Sequence, residues 1–335
     1  MLRTALLIVL ALLPTAALAQ APAAPVDRVL CVYDPSGTQG DIYKFAERYQ
    51  AAALEWGVRF QLKPNTNEGV TTADFKAGQC QAALVSGLRA RSFVKATGTI
   101  EALGALQTYD HLKRAVKILS SAKAVSYVKD GAYETTAILP AGAVYLLLRN
   151  KDNASMAKLA GKRVATLTND DAARTMVDTV GASVVSAEMG TFAGIFNNGR
   201  ADVAYAPATA LKPLELHKGM GSGGGIVKYA LAQLTFQVLV KSADFPAEFG
   251  GKSRTWGADK FAEGLAMSLK AERAVPGGQW ITVSPEDKAI YDTKLRDVRV
   301  KLRNKGVYHG GILKLMKRIR CESDKAAAEC TDGAE

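Results

Sequence analysis

The sequence predicts an α/β chain of two similar units, with mostly parallel sheets and C-terminal helices. Three observations carry this. Strand and helix patterns alternate from Arg28 onward. A second unit after residue 139 repeats the layout of the first. The last eighty residues then read as helices.

Ahead of the first strand, Arg3 precedes an apolar run from Ala5 to Leu13, and Ala17-Leu18-Ala19 offers the small residues a signal peptidase reads. The run is too short to span a bilayer, and Pro14 stands directly behind it. Residues 1–19 are therefore expected to be a cleaved leader, and 20–25, rich in Ala and Pro, a flexible tether. The expected address is the periplasm.

The first unit opens with a strand from Arg28 to Tyr33, broken by Asp34-Pro35-Ser36-Gly37. Ile42 to Trp56 carries Phe45, Ala46, Tyr49, Ala52, Ala53 and Trp56 at helical spacing. Val58 to Lys63 is a second strand, Thr71 to Ala77 a short helix and Cys80 to Val85 a third strand. Such a βαβαβ start gives a parallel sheet covered by helices.

The second unit has strands at Ala143–Leu148, Leu159–Leu167, Gly181–Val185 and Ala201–Tyr205, with helices at Ala172–Val180 and Phe192–Asn197. It echoes the first. Phe75-Lys-Ala-Gly78-Gln-Cys80 and Phe196-Asn-Asn-Gly199-Arg-Ala201 each end a helix on an aromatic residue, turn at glycine and enter a small-residue strand. Ile138-Leu-Pro-Ala-Gly142 reads as the connection out of the first unit, and Lys228 to Val240 as a returning strand. Ser253–Leu269 and Pro285–Asn304 read as helices bracing a hinge. The expected division is 26–138 for one lobe, 139–230 for the other, 231–320 for the return and bracing helices, and 321–335 for a tail.

The chain of 335 residues carries 43 Lys and Arg against 32 Asp and Glu. Nearly all the excess falls in Lys288, Lys294, Arg296, Arg299, Lys301, Arg303, Lys305, Lys314, Lys317, Arg318 and Arg320. Leu295, Val298, Leu302, Leu313, Met316 and Ile319 recur among them at helical intervals, so two basic amphipathic helices are expected. Such a surface suits anionic lipid or a membrane partner, or simply a solvated face. Nucleic acid is excluded as a partner, since no aromatic-basic module accompanies the charge and the chain is expected to be exported.

Cys31, Cys80, Cys321 and Cys330 all lie beyond the leader, and an oxidising compartment lets them pair. Three pairings are open. Cys321 with Cys330 closes a short loop and would leave Cys31 with Cys80. No CxxC unit occurs, and His111, His217 and His309 are dispersed, so neither a metal nor another cofactor is expected.

Catalytic patterns also fail to assemble. Ser86-Gly87 lacks the flanks of a nucleophile elbow, and Asp170-Asp171 fit a helix N-terminus. Gly219 to Gly225 has no P-loop lysine and reads as a surface connection. A monomeric binding protein, not an enzyme, is the reading that remains, because binding needs only a cleft with a few converging polar groups.

Leu30-Cys-Val-Tyr-Asp-Pro35, Asp74-Phe-Lys-Ala-Gly-Gln-Cys80, Leu159-Ala-Gly-Lys-Arg-Val164 and Ala210-Leu-Lys-Pro-Leu-Glu-Leu216 give the chain a further resemblance. It resembles the periplasmic solute-binding proteins related to TRAP-transporter receptors, in a branch sometimes labelled efflux-associated. The resemblance covers most of the mature chain. It implies a two-lobed, type II-like periplasmic-binding fold that closes on a solute and serves inner-membrane transporter components. The receptors' strand arginine, which clamps a substrate carboxylate, matches Ala165 here, with Arg163 two positions earlier. Their later asparagine falls near Ala206-Pro207.

Open α/β sheets present ligands at strand ends. The first unit offers Tyr33, Asp34 and Ser36 there, then Ser86, Arg89 and Arg91, with Arg89 suited to an anionic solute. The second offers Thr168, Asn169, Asp170, Phe192 and Tyr205; Tyr145 and Gln233 sit near the crossings. The rival reading is an envelope accessory protein of an efflux or other membrane complex, recruited through the basic helices.

Overall fold

A computed structural model describes residues 24–335; the expected leader and the tether up to residue 23 lie outside the described residues. The chain runs β1 (Val26–Tyr33), α1 (Asp41–Glu55), β2 (Val58–Asn65), α2 (Glu68–Ala77), β3 (Ala82–Ser86), α3 (Gly87–Ala90), α4 (Lys95–Gly98), α5 (Tyr109–Leu119) and α6 (Val125–Val128). Next come β4 (Lys129–Asp130), β5 (Tyr133–Leu148), β6 (Arg163–Leu167), α7 (Asp171–Thr179), β7 (Ser183–Ala187), α8 (Met189–Asn197) and β8 (Val203–Pro207). The remainder is α9 (Ala208–Leu211), α10 (Leu216–Met220), β9 (Gly225–Val227), β10 (Ala232–Lys241), α11 (Phe249–Asp259), α12 (Phe261–Ala274), β11 (Trp280–Ile281), α13 (Pro285–Asn304) and α14 (Gly310–Ser323).

The strands hydrogen-bond in the order β2-β1-β3-β10-β5-β8-β6-β7. Pairing is parallel at both ends, β2-β1-β3 and β8-β6-β7, while β10 and β5 run antiparallel between them. Alternation sorts the side chains by face. In the second unit Leu147, Ala165, Ala204 and Ala206 pack under Phe192 and Phe196, while Val144, Leu146, Val164 and Val203 join the large core against α5, α7, α13 and α14. In the first unit Leu30, Val32 and Leu84 meet Phe45, Tyr49 and Ala53 of α1, and Tyr33, Ala83 and Val85 meet Phe75 and Phe93.

Both echoed glycines are left-handed, Gly78 at φ 83° and Gly199 at φ 74°, behind the buried Phe75 and Phe196. Cys31 is bonded to Cys80, and Cys321 to Cys330.

The structure differs from expectation at the crossings. The segment Ile138–Gly142 is part of one continuous strand, β5, because Pro140 lies at a register irregularity where Leu234 faces Gly142 and Thr235 faces Pro140. A bulge absorbs the missing N–H and the φ of 111° at Gly142. Residues 159–162 turn before β6 begins, and the helix expected over 253–269 is two, broken at Lys260.

Beyond β10 the bracing helices touch both units: α13 packs on α7 of the second and donates from Arg299 to Leu103 O of the first, and α14 packs on α5 and α4 of the first. Helix α13 begins where the sequence dictates, with Ser284 Oγ accepting the Asp287 N–H and Pro285 in the first turn. The turn between them, Lys305–His309, is thereby held against both units.

Candidate functional site

At the C-terminal ends of β1 and β3, the sequence candidates meet a carboxylate that sequence reading missed. Glu68, in the first turn of α2, accepts the Ser86 N–H at 2.6 Å and lies 3.8 Å from Arg89 Nε. Burial raises its pKa, which the Ser86 hydrogen bonds and the Arg89 charge offset only in part. Tyr33 is buried against Phe75 and Phe93, and burial with the Glu68 charge pushes its hydroxyl up to about 12. Asp34 is spent locally: its carboxylate accepts the Ser36 N–H at 2.8 Å and the Tyr43 N–H at 3.0 Å, fixing the entry to α1. Ser36 itself is exposed. Ser86 Oγ accepts the Arg89 N–H and so caps α3.

One turn on, Arg91 donates from Nε to Gly98 O at 3.3 Å, and its guanidinium lies 5.0 Å from the ring centre of Tyr308. Nearby, the buried Glu101 accepts both the N–H (2.6 Å) and the hydroxyl (2.8 Å) of Thr235 on β10. Burial pushes its carboxyl up to about 7, against the pull of the Thr235 N–H and of Arg91.

In the second unit, Tyr205 donates to Asp170 Oδ2 at 3.1 Å and accepts the Leu167 N–H at 3.2 Å. Asp170 Oδ1 caps α7 through the Ala173 N–H at 2.9 Å. Burial and then the Asp170 charge hold the Tyr205 hydroxyl well above its ordinary range. Phe192 is buried edge-on to Tyr205, with ring centres 5.5 Å apart. The Thr168 hydroxyl reaches Ala187 O and the Glu188 carboxylate, and Asn169 is exposed.

Tyr308 joins the two halves. It sits in the turn between α13 and α14, beneath Arg91 of the first unit and close enough to Asp170 of the second for that carboxylate to raise its pKa. Its hydroxyl is buried with no hydrogen-bond partner among the described residues; Arg89 Nε and Gln233 Oε1 share that state.

Tyr145 is directed elsewhere. Its hydroxyl and that of Tyr109 both donate to Glu272 on α12, and its ring meets Trp280. The strand position of the receptors' arginine, Ala165, is 0% exposed beneath α8, and Arg163 is held at the far end of β6 by Asp202 and Gly199 O. Among the described residues no group of three His, Cys, Asp or Glu is placed to hold a metal, and no helix is long and apolar enough to cross a membrane.

The basic helices are partly neutralised from within. Arg299 and Arg320 pair with Glu329 and Glu335, Arg296 and Lys317 with Asp332, and Arg303 donates to Ala334 O. Lys288 is paired with Asp292.

The raised carboxyl at Glu101 carries a pH signature. Below its ordinary value of 4.5 the group is protonated in both states and its contribution to stability is complete; that contribution is lost as pH rises through about 7. The loss is on the order of 3 kcal/mol. Glu101→Gln should therefore flatten urea midpoints between pH 5 and pH 8 relative to the parent chain. Parallel curves would remove Glu101 as the titrating group.

Residues 50–335 match the family model described as solute-binding protein AdeT 1/2. The probable solute-binding protein AdeT1 of Acinetobacter baumannii is 34% identical over 299 residues, 89% of this chain and 98% of that protein. AdeT2 of the same organism is 28% identical over 198 residues, 59% of this chain and 83% of that protein. Among solved structures, the TRAP periplasmic solute binding protein of Desulfovibrio salexigens, with bound orotic acid, superposes with a TM-score of 0.69 at 12% identity, covering 88% of this chain and 99% of that one. That of Rhodoferax ferrireducens, with bound malonate, gives 0.68 at 13% identity over 89% and 100%. The fold is thus that of TRAP-type periplasmic solute-binding proteins.

Proposed function

Because this chain belongs to the solute-binding protein AdeT 1/2 family, we propose that it captures a small solute in the periplasm and hands it to an inner-membrane transporter. The solute binds where the strand ends of residues 26–138 face those of 139–230, and closure of the two lobes buries it. The observation that carries this site is the junction at Tyr308, where Arg91 from one half and Asp170 from the other meet a buried hydroxyl with no partner among the described residues.

Lobe closure selects a ligand-compatible state by making contacts absent from the open one. Arg89, Arg91, Asp170 and Tyr205 supply charge and hydrogen bonds from both sides, and Tyr33 and Phe192 bring apolar area behind them. The carboxylates bound by the structural relatives make an anionic solute the first class to try. The accessory reading draws on free basic helices, and the internal pairing of Arg296, Arg299, Lys317 and Arg320 reduces the charge it can use.

Native mass spectrometry of the purified chain, before and after mild denaturation, should reveal a carried-over solute. Affinity for that solute should fall in Arg89→Ala, Arg91→Ala and Tyr205→Phe, tested separately by calorimetry. Unchanged binding in all three would overturn the site.

A further inference from the structure

We propose that Arg91 and Tyr308 together form a carboxylate-binding subsite, the arginine supplied by the first unit and the hydroxyl by the C-terminal helical arm. The proposal rests on the solute-binding reading and goes on to locate the acidic group of the solute.

Other side chains that could take this part are committed elsewhere. Ala165 is sealed under α8, Arg163 is bound to Asp202, and Arg89 faces the buried Glu68. Arg91 is different. Only its Nε is hydrogen-bonded to described residues, through Gly98 O, so the two terminal nitrogens remain for a ligand. Its direction is set by backbone packing: a Cβ on Gly98 would lie 2.5 Å from both Cα and Cβ of Arg91, so only glycine lets α4 approach this closely.

Tyr308 completes the pair. Its side chain is 2% exposed, its ring lies under the guanidinium, and its hydroxyl has the Leu103 N–H directed at it but no acceptor for its own proton among the described residues. The Asp170 carboxylate is not that acceptor: no hydrogen bond joins it to Tyr308, and its oxygens accept from the Ala173 N–H and Tyr205. Burial pushes the Tyr308 hydroxyl up to about 12, so it stays protonated and donates. The guanidinium only donates and the phenol O–H has no acceptor among the described residues, so a carboxylate is an acceptor that suits both. Glu101 feels the Arg91 charge but forms no ion pair with it; its Oε1 accepts from Thr235, and burial holds it partly protonated near neutrality.

The arm explains why a residue so far along the chain sits here. With α13 against α7 and the 103–107 segment, and α14 on α5 and α4, the turn bearing Tyr308 lies where the two units meet. A solute carboxylate bridging Arg91 and Tyr308 would therefore bind the arm as well as the lobes.

The test uses the full mature chain in calorimetric titrations with orotate, malonate, succinate and galacturonate, with galactose as the uncharged counterpart of galacturonate. At least one carboxylate should bind, and galactose should not. Tyr308→Phe should weaken that binding about tenfold, and Arg91→Gln by about a hundredfold. Since the hydroxyl gives its proton to no described residue, Tyr308→Phe should lower the melting temperature little, which separates binding from folding. Equal affinity in Tyr308→Phe, or no binding of any carboxylate, would overturn the subsite. A recovered non-acidic solute whose affinity Arg91→Gln leaves unchanged would overturn the subsite while leaving solute capture standing; the absence of any bound or recovered solute would count against both.

Discussion

Arg299→Ala should lower the unfolding free energy by about 3–5 kcal/mol. Arg299 is 2% exposed, and its guanidinium donates to Glu335, to Leu103 O at 3.0 Å and toward Glu329 at 3.4 Å. Arg320 lies beside it, bound to Glu329, Glu335 and Ala105 O. The pair thus ties three distant pieces together: the helical arm, the tail closed by Cys321–Cys330, and the 102–106 segment that leads into α5. Removing one guanidinium leaves a buried carboxylate half compensated and the Leu103 carbonyl without its donor, each costly away from water. Lys301→Ala, on the exposed side of the same helix, should change stability by no more than about 0.5 kcal/mol. Urea unfolding of both variants makes the comparison; an Arg299→Ala cost near that of Lys301→Ala would mean the tail is not anchored through this pair. Because the arm carries Tyr308, Arg299→Ala should also weaken solute capture.

That network lies where a sequence is least informative. The basic run from Lys288 to Arg320 is visible as charge, and its helical period gives α13 with both ends in place. Its partners are not visible, because Glu329, Asp332 and Glu335 sit in a tail whose return path depends on tertiary packing. Charge in a sequence carries a sign but no direction. The alternation of strands and helices is legible from period and glycine turns, and Gly78 and Gly199 adopt the left-handed turns expected of them. Pro140 misleads in the opposite sense: read as a breaker, it lies in a long strand where a bulge removes the need for its N–H.

The site is legible only where it coincides with strand ends. Ser86, Arg89, Arg91, Asp170 and Tyr205 can be placed by topology alone, since parallel sheets gather their C-terminal ends. Glu68 looks like an acid in a helix first turn, which it is, and its approach to Ser86 follows from the register of β1 with β2 and β3. Tyr308 has no local signal, for nothing marks a tyrosine in a turn until two helices carry it to the junction. Glu101 does have one: a lone carboxylate within Thr99-Ile-Glu-Ala-Leu103 is out of place in an apolar run and needs a buried partner.

That partner makes Gly87 a sensitive position beside the candidate site, and Gly87→Ala should destabilise the fold by about 3 kcal/mol or more. A Cβ there would stand 2.3 Å from Glu101 Oε1 and 2.5 Å from Thr235 Oγ1, inside any permissible contact. Gly87 opens α3 directly after Ser86, so two responses are open to the chain. Glu101 can withdraw, which strands the buried N–H of Thr235 on β10, or α3 can move, which shifts Arg89 and Arg91 away from Glu68 and Tyr308. The first response costs stability and the second costs binding, so thermal melts and calorimetry together report which occurs. Gly190→Ala is the matched control: it lies in α8 with nothing within 4 Å of the added carbon, and should be neutral or slightly stabilising. Placing Gly87→Ala on a Glu101→Ala background removes the nearest obstacle, so the cost of the glycine substitution should shrink by more than half. If it is unchanged in that background, the strain lies against Thr235 or in the helix turn itself, and Glu101 does not position Arg89 and Arg91.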